Sequence, residues 1–121
     1  MIFAVAVTQD AGLDSIVDPR FGRARDFLIV DSETGATRLV PNTQNLNAAQ
    51  GAGIQSAQNV VTEGAQAVIT GHCGPKAFAV LMQAEIKIFL ASKLTIKDAL
   101  AKISAGELTP ANSADVEGHW V

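Results

Sequence analysis

Residues 67–77 read Ala-Val-Ile-Thr-Gly-His-Cys-Gly-Pro-Lys-Ala, and this stretch decides the class of fold. Residues 67–70 predict a short buried strand, because they are apolar or β-branched and a glycine follows them. Residues 71–75 predict a tight turn, and Pro75 suits the first position of the helix that comes next. A strand that passes through a turn into a helix is typical of α/β folds.

The same alternation of strands and helices continues on both sides of this stretch. The predicted elements are a strand over 2–8, a β-hairpin of 26–31 and 37–40, a helix that opens at 51–53 and ends at Gly64, the strand over 67–70, a helix from Pro75, a strand over 86–90, and a last helix that Thr95 caps and that Gly106 ends. Helical spacing places Val61 and Met82 on the buried faces of the first two helices. This order predicts an α/β, three-layer, ribonuclease H-like fold, with a mixed five-stranded sheet flanked by helices.

The chain of 121 residues fits one domain, which we predict over residues 1–108, followed by a polar and loose tail over 109–121. Its net charge of −3 gives no support for a nucleic-acid or acidic-membrane partner, since both favour basic surfaces. The single cysteine excludes an internal disulfide and suits a reducing compartment. The apolar N-terminus reads as a strand and not as a signal peptide, so we expect a cytoplasmic protein.

Three connections between the predicted elements carry the residues that could bind a ligand. The first, residues 9–25, contains Arg20, Arg23 and Arg25. The second is the amide-rich loop 42–50, which includes Asn47 and leads into Gly51-Ala52-Gly53. The third is the turn Gly71-His72-Cys73-Gly74-Pro75. The second and third lead into helix N-termini, which attract anions. Ligands of open α/β sheets bind outside the carboxyl ends of the strands, and we expect the three connections to converge at that edge of the sheet. The sequence therefore predicts a pocket for a small anionic ligand.

Two of these motifs partly match better-known ones. Gly51 and Gly53 match half of a dinucleotide-binding fingerprint, but they do not directly follow a strand and a third glycine is missing. Cys73-Gly74-Pro75-Lys76 is similar to the redox turn Cys-Gly-Pro-Cys, with Lys76 in place of the second cysteine. Dithiol exchange within the chain is therefore excluded. The helix start should still make Cys73 more reactive than an average thiol, and the neighbouring His72 is a ligand, a proton donor or a turn residue.

A divalent-metal nuclease is a weaker alternative, because ribonuclease H-type enzymes hold metal ions with several acidic residues. The aspartates that could serve are Asp10, Asp14, Asp18, Asp26 and Asp31. Asp10 follows the first strand instead of lying within it, and Asp31 introduces the hairpin turn. The acidic chain also opposes a nucleic-acid substrate. Since the sequence shows no Ser/His/Asp grouping and no P-loop, we expect a binding protein and not an enzyme.

Several short motifs at matching spacing resemble one known family. The motifs are Phe21-Gly22-Arg23-Ala24, Phe27-Leu28-Ile29-Val30-Asp31, Asn42, Gly51-Ala52-Gly53, Gly64-Ala65, Val68-Ile69-Thr70-Gly71 and Gly74-Pro75-Lys76-Ala77. Together they resemble the dinitrogenase iron–molybdenum cofactor accessory family, which comprises NifX-like proteins and the C-terminal domain of NifB. The resemblance runs from Met1 to about Gly106. Length, single-domain form and the lone cysteine are most similar to the orange-protein branch of that family.

The resemblance implies a ribonuclease H-like fold without nuclease activity, and the binding of a metal–sulfur cluster. That cluster is a molybdenum–copper sulfide in the orange-protein branch, and the iron–molybdenum cofactor or its precursor in nitrogenase accessory proteins. The chain has only one cysteine and two histidines, too few for a cysteine-ligated iron–sulfur centre or a structural zinc site. A preformed anionic cluster that brings its own sulfides would need only a charged pocket, and the protein would bind it non-covalently.

The candidate site follows from the three connections. The residues expected to contact the cluster are Arg20, Arg23, Asn47, Gly51, Gly53, Gly71, His72, Cys73 and Gly74, and the candidate metal ligands are Cys73 and His72. We also expect a protein partner that receives the cluster or is regulated by this protein. The remaining alternative is a regulatory module that recognises a partner protein and binds no cluster.

Overall fold

The computed structural model describes residues 1–114, which form five strands and three helices. The elements are β1 (Ile2–Val7), β2 (Asp26–Asp31), β3 (Thr37–Pro41), α1 (Ala52–Thr62), β4 (Ala67–Thr70), α2 (Pro75–Gln83), β5 (Lys87–Leu90) and α3 (Ile96–Ser104). All eight predicted elements are present, with bounds that differ by a residue or two at most of their ends. Residues 115–121 of the predicted tail lie outside the described residues.

The strands form one sheet in the order β3-β2-β1-β4-β5. The hairpin strands β2 and β3 pair antiparallel with each other and β2 pairs antiparallel with β1, whereas β1, β4 and β5 run parallel. The predicted mixed five-stranded sheet is therefore confirmed. Because of these directions, β1, β3, β4 and β5 all end at the same edge of the sheet. We call this the loop edge, formed by residues 8–25, 42–51, 71–74 and 91–95.

Helices cover both faces of the sheet, which gives the predicted three layers. Along β1 the side chains of Ala4 and Ala6 pack in the core beneath α1 and α2, while Val5 and Val7 pack in the core beneath α3. This alternation follows from the two-residue period of a strand. The small alanines let the two helices approach the centre of the sheet closely.

Two helix ends are fixed by the residues that the sequence singles out. Gly64 lies just past α1 with φ of 77°, and Gly106 lies just past α3 with φ of 75°. A left-handed residue at this position is usually glycine, because other residues would strain the backbone. At the start of α3 the Thr95 hydroxyl accepts a hydrogen bond from the Asp98 N–H at 3.1 Å, so the predicted cap is confirmed.

Two predicted core residues are on the surface. Val61 is 42% exposed and Met82 is 48% exposed, so both predictions are wrong. In α1 the face that is buried includes Ser56. Val61 lies about 140° around the helix from Ser56, so its side chain faces solvent. In α2 the buried stripe is Ala77, Phe78 and Leu81, and Met82 lies about 90° from its centre.

The start of the tail packs against the domain. The Ala111 N–H donates to the Ile88 carbonyl at 2.7 Å, on the side of β5 that has no neighbouring strand. Ala111 and Ala114 pack against the α1–α2 core. This segment thus pairs with a carbonyl that β5, as the last strand of the sheet, leaves unpaired, while the domain boundary at residue 108 and the loose tail stay predictions. Among the described residues, the helices are all too short or too polar to cross a membrane.

Candidate functional site

The arginine-bearing loop 8–25 lies against both of the other predicted ligand-binding connections. A Cβ atom at Gly71 would lie 2.4 Å from Pro19 Cα, so only glycine allows this close backbone approach. At its other end, a Cβ atom at Gly22 would lie 3.1 Å from Gly53 Cα, in the first turn of α1. Loop 8–25 therefore connects the α1 start with the turn 71–74, and the predicted convergence of the three connections is confirmed.

The first turns of α1 and α2 lie side by side at the loop edge. A Cβ atom at Gly53 would lie 3.3 Å from Ala77 Cβ, so the two helix starts are in contact range at this point. Each helix N-terminus carries a partial positive charge from its aligned peptide dipoles. Their proximity concentrates positive potential at the place where the three connections meet.

Neither of these helix starts is capped by its own sequence. The N-cap residues Gly51 and Gly74 have no side chain to accept a hydrogen bond, and neither first turn contains an acidic residue. Within residues 1–114, five first-turn N–H groups donate no hydrogen bond. These groups belong to Ala52, Gly53, Ile54, Lys76 and Ala77. Such groups are donors for an anion.

Basic side chains surround these helix starts. The side chain of Arg20 is 60% exposed and its Nε lies 3.4 Å from Asp18 Oδ1. Arg23 is exposed and forms no salt bridge within the described residues, while Arg25 Nε lies 3.7 Å from Asp26 Oδ2. Lys76 adds a further exposed positive charge in the first turn of α2. In the sequence Lys76 stands out only as the residue in place of a second cysteine, although its place one residue after Pro75 puts its charge at the helix start.

The amide-rich loop 42–50 is bound to its neighbours by its own side chains. Gln44 Nε2 donates to the Gly22 carbonyl at 2.8 Å and to the Ala52 carbonyl at 3.1 Å. The buried Asn42 Nδ2 donates to Ser56 Oγ at 2.9 Å. These contacts hold loop 8–25 against α1. No motif in the sequence predicts these contacts, because the partners are far apart along the chain.

The remaining predicted residue of this loop, Asn47, lies on the exposed side of the loop. Its N–H donates to Asn45 Oδ1 at 2.9 Å, which shapes the loop tip. A contact between the Asn47 side chain and a ligand stays a prediction.

The turn 71–74 places the predicted pair His72 and Cys73 differently. Cys73 is only 1% exposed and belongs to the α1–α2 core, with its Sγ 3.8 Å from the Gly74 carbonyl. His72 is half-buried, and its backbone pairs with that of Arg20 in an isolated parallel bridge. Direct ligation by Cys73 would require its thiol to leave the core, whereas His72 lies nearer the surface.

The acidic residues of the described part of the chain do not form a group that could hold a metal ion. Residues 1–114 contain no group of three or more His, Cys, Asp or Glu side chains that could hold a metal ion. Asp10 lies at the loop edge and accepts a hydrogen bond from the Gly12 N–H, while Asp31 ends β2 at the opposite edge of the sheet. The cluster of acidic residues that the nuclease alternative requires is therefore not formed within residues 1–114.

A shallow depression of about 250 Å³ lies away from the loop edge. It is lined by Ile2 and Ile29 and bordered by the salt bridge between Arg38 and Glu63 at 2.7 Å. Since Ile2 begins β1 and Glu63 follows the end of α1, the depression lies at the opposite edge of the sheet. Its position gives it no part in the arrangement of arginines and helix starts.

The comparison with known families agrees with this fold. The model of the family described as dinitrogenase iron-molybdenum cofactor matches residues 1–106. The chain belongs to this family. The match covers all five strands and all three helices, so the family fold includes the loop edge.

Solved structures of similar proteins have the same architecture. The apo form of the orange protein from Desulfovibrio gigas is 38% identical, with a TM-score of 0.86 over 95% of this chain and 96% of that one. A NifB-type protein from Thermotoga is 29% identical, with a TM-score of 0.76 over 97% and 98% of the two chains. An uncharacterized protein from Methanocaldococcus jannaschii is 32% identical over 76% of this chain and 80% of its own length. The three-layer α/β fold and the family resemblance predicted from the sequence are thus confirmed.

Proposed function

We propose that this protein binds and carries a preformed anionic metal–sulfide cluster at the loop edge and does not catalyse a reaction. The observation that carries the proposal is the contact between two uncapped helix starts, with Gly53 of α1 next to Ala77 of α2. Membership of the dinitrogenase iron-molybdenum cofactor family supports a cluster as the anion.

Electrostatics favour an anion that can contact both helices. Each N-terminus is equivalent to roughly +0.5 elementary charge, so two adjacent starts repel each other in the absence of a counter-charge. Arg23 and Lys76 add two full positive charges at the same edge, and Arg20 adds a third that is paired with Asp18. A multiply charged anion would relieve this repulsion and accept hydrogen bonds from the first-turn N–H groups of both helices.

The scarcity of metal ligands supports a cluster that is already assembled. The described residues offer no group of three potential ligands, and the thiol of Cys73 is buried. A cluster whose metals are already coordinated by sulfide needs no such group. The protein would recognise its negative charge and its shape, and His72 or Cys73 would add at most one bond to a metal.

The similarity to the orange protein leads us to propose a molybdenum–copper sulfide as the first choice of cargo. The iron–molybdenum cofactor or a precursor of it is the alternative that the family suggests. A carrier must deliver its cargo, so the proposal includes a recipient protein. It also includes a cytoplasmic location, which suits a chain with a single reduced cysteine.

The proposal is tested by mixing metal-free protein with tetrathiomolybdate and a copper salt. We expect visible charge-transfer absorption that elutes with the protein in gel filtration, together with both metals by elemental analysis. Protein that stays colourless and free of metal after gel filtration would refute it. Loading with the iron–molybdenum cofactor or its precursor in place of these salts distinguishes the two cargoes.

A pair of matched variants tests the place of binding. Arg23→Gln removes an exposed charge at the loop edge, and Lys97→Gln removes an exposed charge in the first turn of α3. We expect Arg23→Gln to weaken cluster retention severalfold, because it removes one of the charges around the uncapped starts. Lys97→Gln should retain the cluster like the wild type. Equal weakening by both variants would show that only the net charge matters.

A further inference from the structure

Asp18 occupies the point where β1 and β4 end side by side. Its N–H donates to the Ala6 carbonyl at 2.7 Å, and its carbonyl accepts the Gly71 N–H at 3.1 Å. The Thr70 hydroxyl also donates to this carbonyl, at 3.3 Å. The backbone of Asp18 therefore bridges the ends of two strands, directly beside the turn 71–74.

The carboxylate of Asp18 is buried and only half satisfied. Its side chain is 0% exposed, and Oδ1 accepts hydrogen bonds from the Arg20 N–H at 2.8 Å and from Arg20 Nε at 3.4 Å. The other oxygen, Oδ2, is buried and has no hydrogen-bond partner among the described residues. A buried acceptor without a partner destabilises a fold.

The backbone contacts alone do not explain this charge. An asparagine could form the same turn, because its Oδ1 accepts the Arg20 N–H equally well. What the aspartate adds is a buried negative charge, whose salt-bridge partner within residues 1–114 is Arg20. That charge attracts the guanidinium through Nε, while the two terminal nitrogens of Arg20 form no hydrogen bond within residues 1–114 and the side chain is 60% exposed.

We propose that Asp18 is a positioning residue, whose buried carboxylate holds the guanidinium of Arg20 so that its terminal N–H groups face the anionic cargo. This inference rests on the proposed function. It assigns Asp18 a role opposite to the one that its charge alone would have, because an isolated carboxylate near the loop edge would repel an anion.

A positioning role and simple charge repulsion predict opposite effects of Asp18→Asn on cluster binding, so this variant tests the inference. If Asp18 positions Arg20, this variant should bind the cluster formed from copper and tetrathiomolybdate about threefold to tenfold more weakly, as expected for a lost charged hydrogen bond at an exposed group. The matched control is Asp26→Asn, which removes the same charge at the same edge, next to the exposed Arg25. The control should bind equally or slightly more tightly. Tighter binding by both variants would overturn the inference.

A double-mutant cycle tests whether Asp18 acts through Arg20. Arg20→Ala changes a mostly exposed side chain and should fold normally while weakening the same cluster binding. In the Arg20→Ala background, Asp18→Asn should have no further weakening effect. An equal loss in both backgrounds would mean that Asp18 supports the site in some other way, and would overturn the inference.

Metal-free protein separates this inference from the proposed function. In Asp18→Asn the Nε–H proton of Arg20 should exchange with solvent faster than in the wild type, as measured by NMR, because its buried acceptor has lost its charge. An unchanged exchange rate would overturn the positioning role even if the cluster binds. Failure of the wild type to bind any cluster, with the expected change in exchange, would instead refute the proposed function.

Discussion

The start of α3 differs from the starts of α1 and α2 in how its backbone donors are used. All three first-turn N–H groups of α3 have acceptors: Ile96 donates to the Ser15 carbonyl, Lys97 to the Leu13 carbonyl and Asp98 to the Thr95 hydroxyl. The first turn also carries the acidic Asp98, and the last turn carries the basic Lys102. By contrast, α1 and α2 have glycine N-caps and no acidic residue in their first turns.

This difference separates a helix whose first turn is capped by its own chain from two helices whose first-turn donors are unused within the described residues. A Ser, Thr, Asp or Asn N-cap stabilises a helix by about 1 kcal/mol relative to alanine but by only roughly a few tenths relative to glycine, so each glycine cap forgoes a small gain. The two uncapped starts are also the ones that meet, at Gly53 and Ala77, and they are surrounded by basic side chains. This difference is explained if a bound anion supplies α1 and α2 with hydrogen-bond acceptors and negative charge. In α3, Thr95 supplies the acceptor and Asp98 the charge.

The largest effect should come from separating the arginine-bearing loop from the α2 start. In Gly71→Ala the new Cβ would lie 2.4 Å from Pro19 Cα and 3.0 Å from the Pro19 carbonyl oxygen, so the backbone must move. We expect a loss of about 3 kcal/mol in the free energy of unfolding, measured in urea, and loss of cluster retention.

The control for this variant is Gly74→Ala, where a Cβ meets nothing within 4 Å. It should cost about 1 kcal/mol, the loss expected when alanine replaces a favoured N-cap residue, and so well below the cost of Gly71→Ala. If both variants unfold at the same urea concentration, the close packing at Gly71 is not what holds loop 8–25 in place.

Removing the cap of α3 should damage stability alone. Thr95→Ala deletes the hydroxyl that accepts the Asp98 N–H, and we expect it to lower the free energy of unfolding by about 1 kcal/mol. Cluster retention by the folded variant should equal that of the wild type, because α3 covers the opposite face of the sheet. A parallel loss of cluster would mean that the two kinds of helix start are not independent.

A charge reversal in the first turn of α2 should affect binding and stability in opposite directions. Lys76→Glu places a negative charge near an uncapped N-terminus and should stabilise the folded protein by about 0.5 kcal/mol at low salt. It should weaken cluster retention by about tenfold or more, because the new carboxylate competes with the anion. Urea unfolding and gel filtration after loading measure the two effects.

The matched control is Lys97→Glu, which makes the same change at the same position of α3. Lys97 and Lys76 are both exposed and both occupy the second residue of their helix. The control should keep the cluster. Equal weakening of binding in the two variants would contradict a specific role for the α2 start.

The sequence predicts local features of this protein better than contacts between distant residues. The strand before Gly71, the helix that begins at Pro75 and the Thr95 cap all depend on neighbouring residues, and all are confirmed. The surface positions of Val61 and Met82 depend on how each helix is rotated against the sheet, which apolar spacing alone did not fix.

The candidate site shows the same division. Its loops were predicted to converge because parallel strands end at one edge, and the contact between Pro19 and Gly71 confirms that convergence. The burial of Cys73 and the half-satisfied carboxylate of Asp18 depend on packing between segments far apart in the chain. Asp18 was therefore weighed in the sequence only as a nuclease residue, a role for which the described residues give no metal-binding group.

The proposal that the uncapped helix starts hold the anion is tested by introducing at α1 the kind of side-chain cap that α3 already has. Gly51 is exposed, its φ of −76° and ψ of 178° suit any residue, and a Cβ there meets nothing within 4 Å. In Gly51→Asp the carboxylate can accept the N–H groups of Gly53 or Ile54, as aspartate does at helix N-caps. Gly51→Asn is the control, because it offers the same hydrogen bond without the charge.

The measurement is retention of the cluster formed from copper and tetrathiomolybdate, compared between these variants and the wild type. We predict that Gly51→Asp unfolds at a higher temperature than the wild type and retains the cluster at least about tenfold less tightly, with Gly51→Asn in between. If Gly51→Asp binds the cluster as tightly as the wild type, the uncapped helix starts do not hold the anion and the account is wrong.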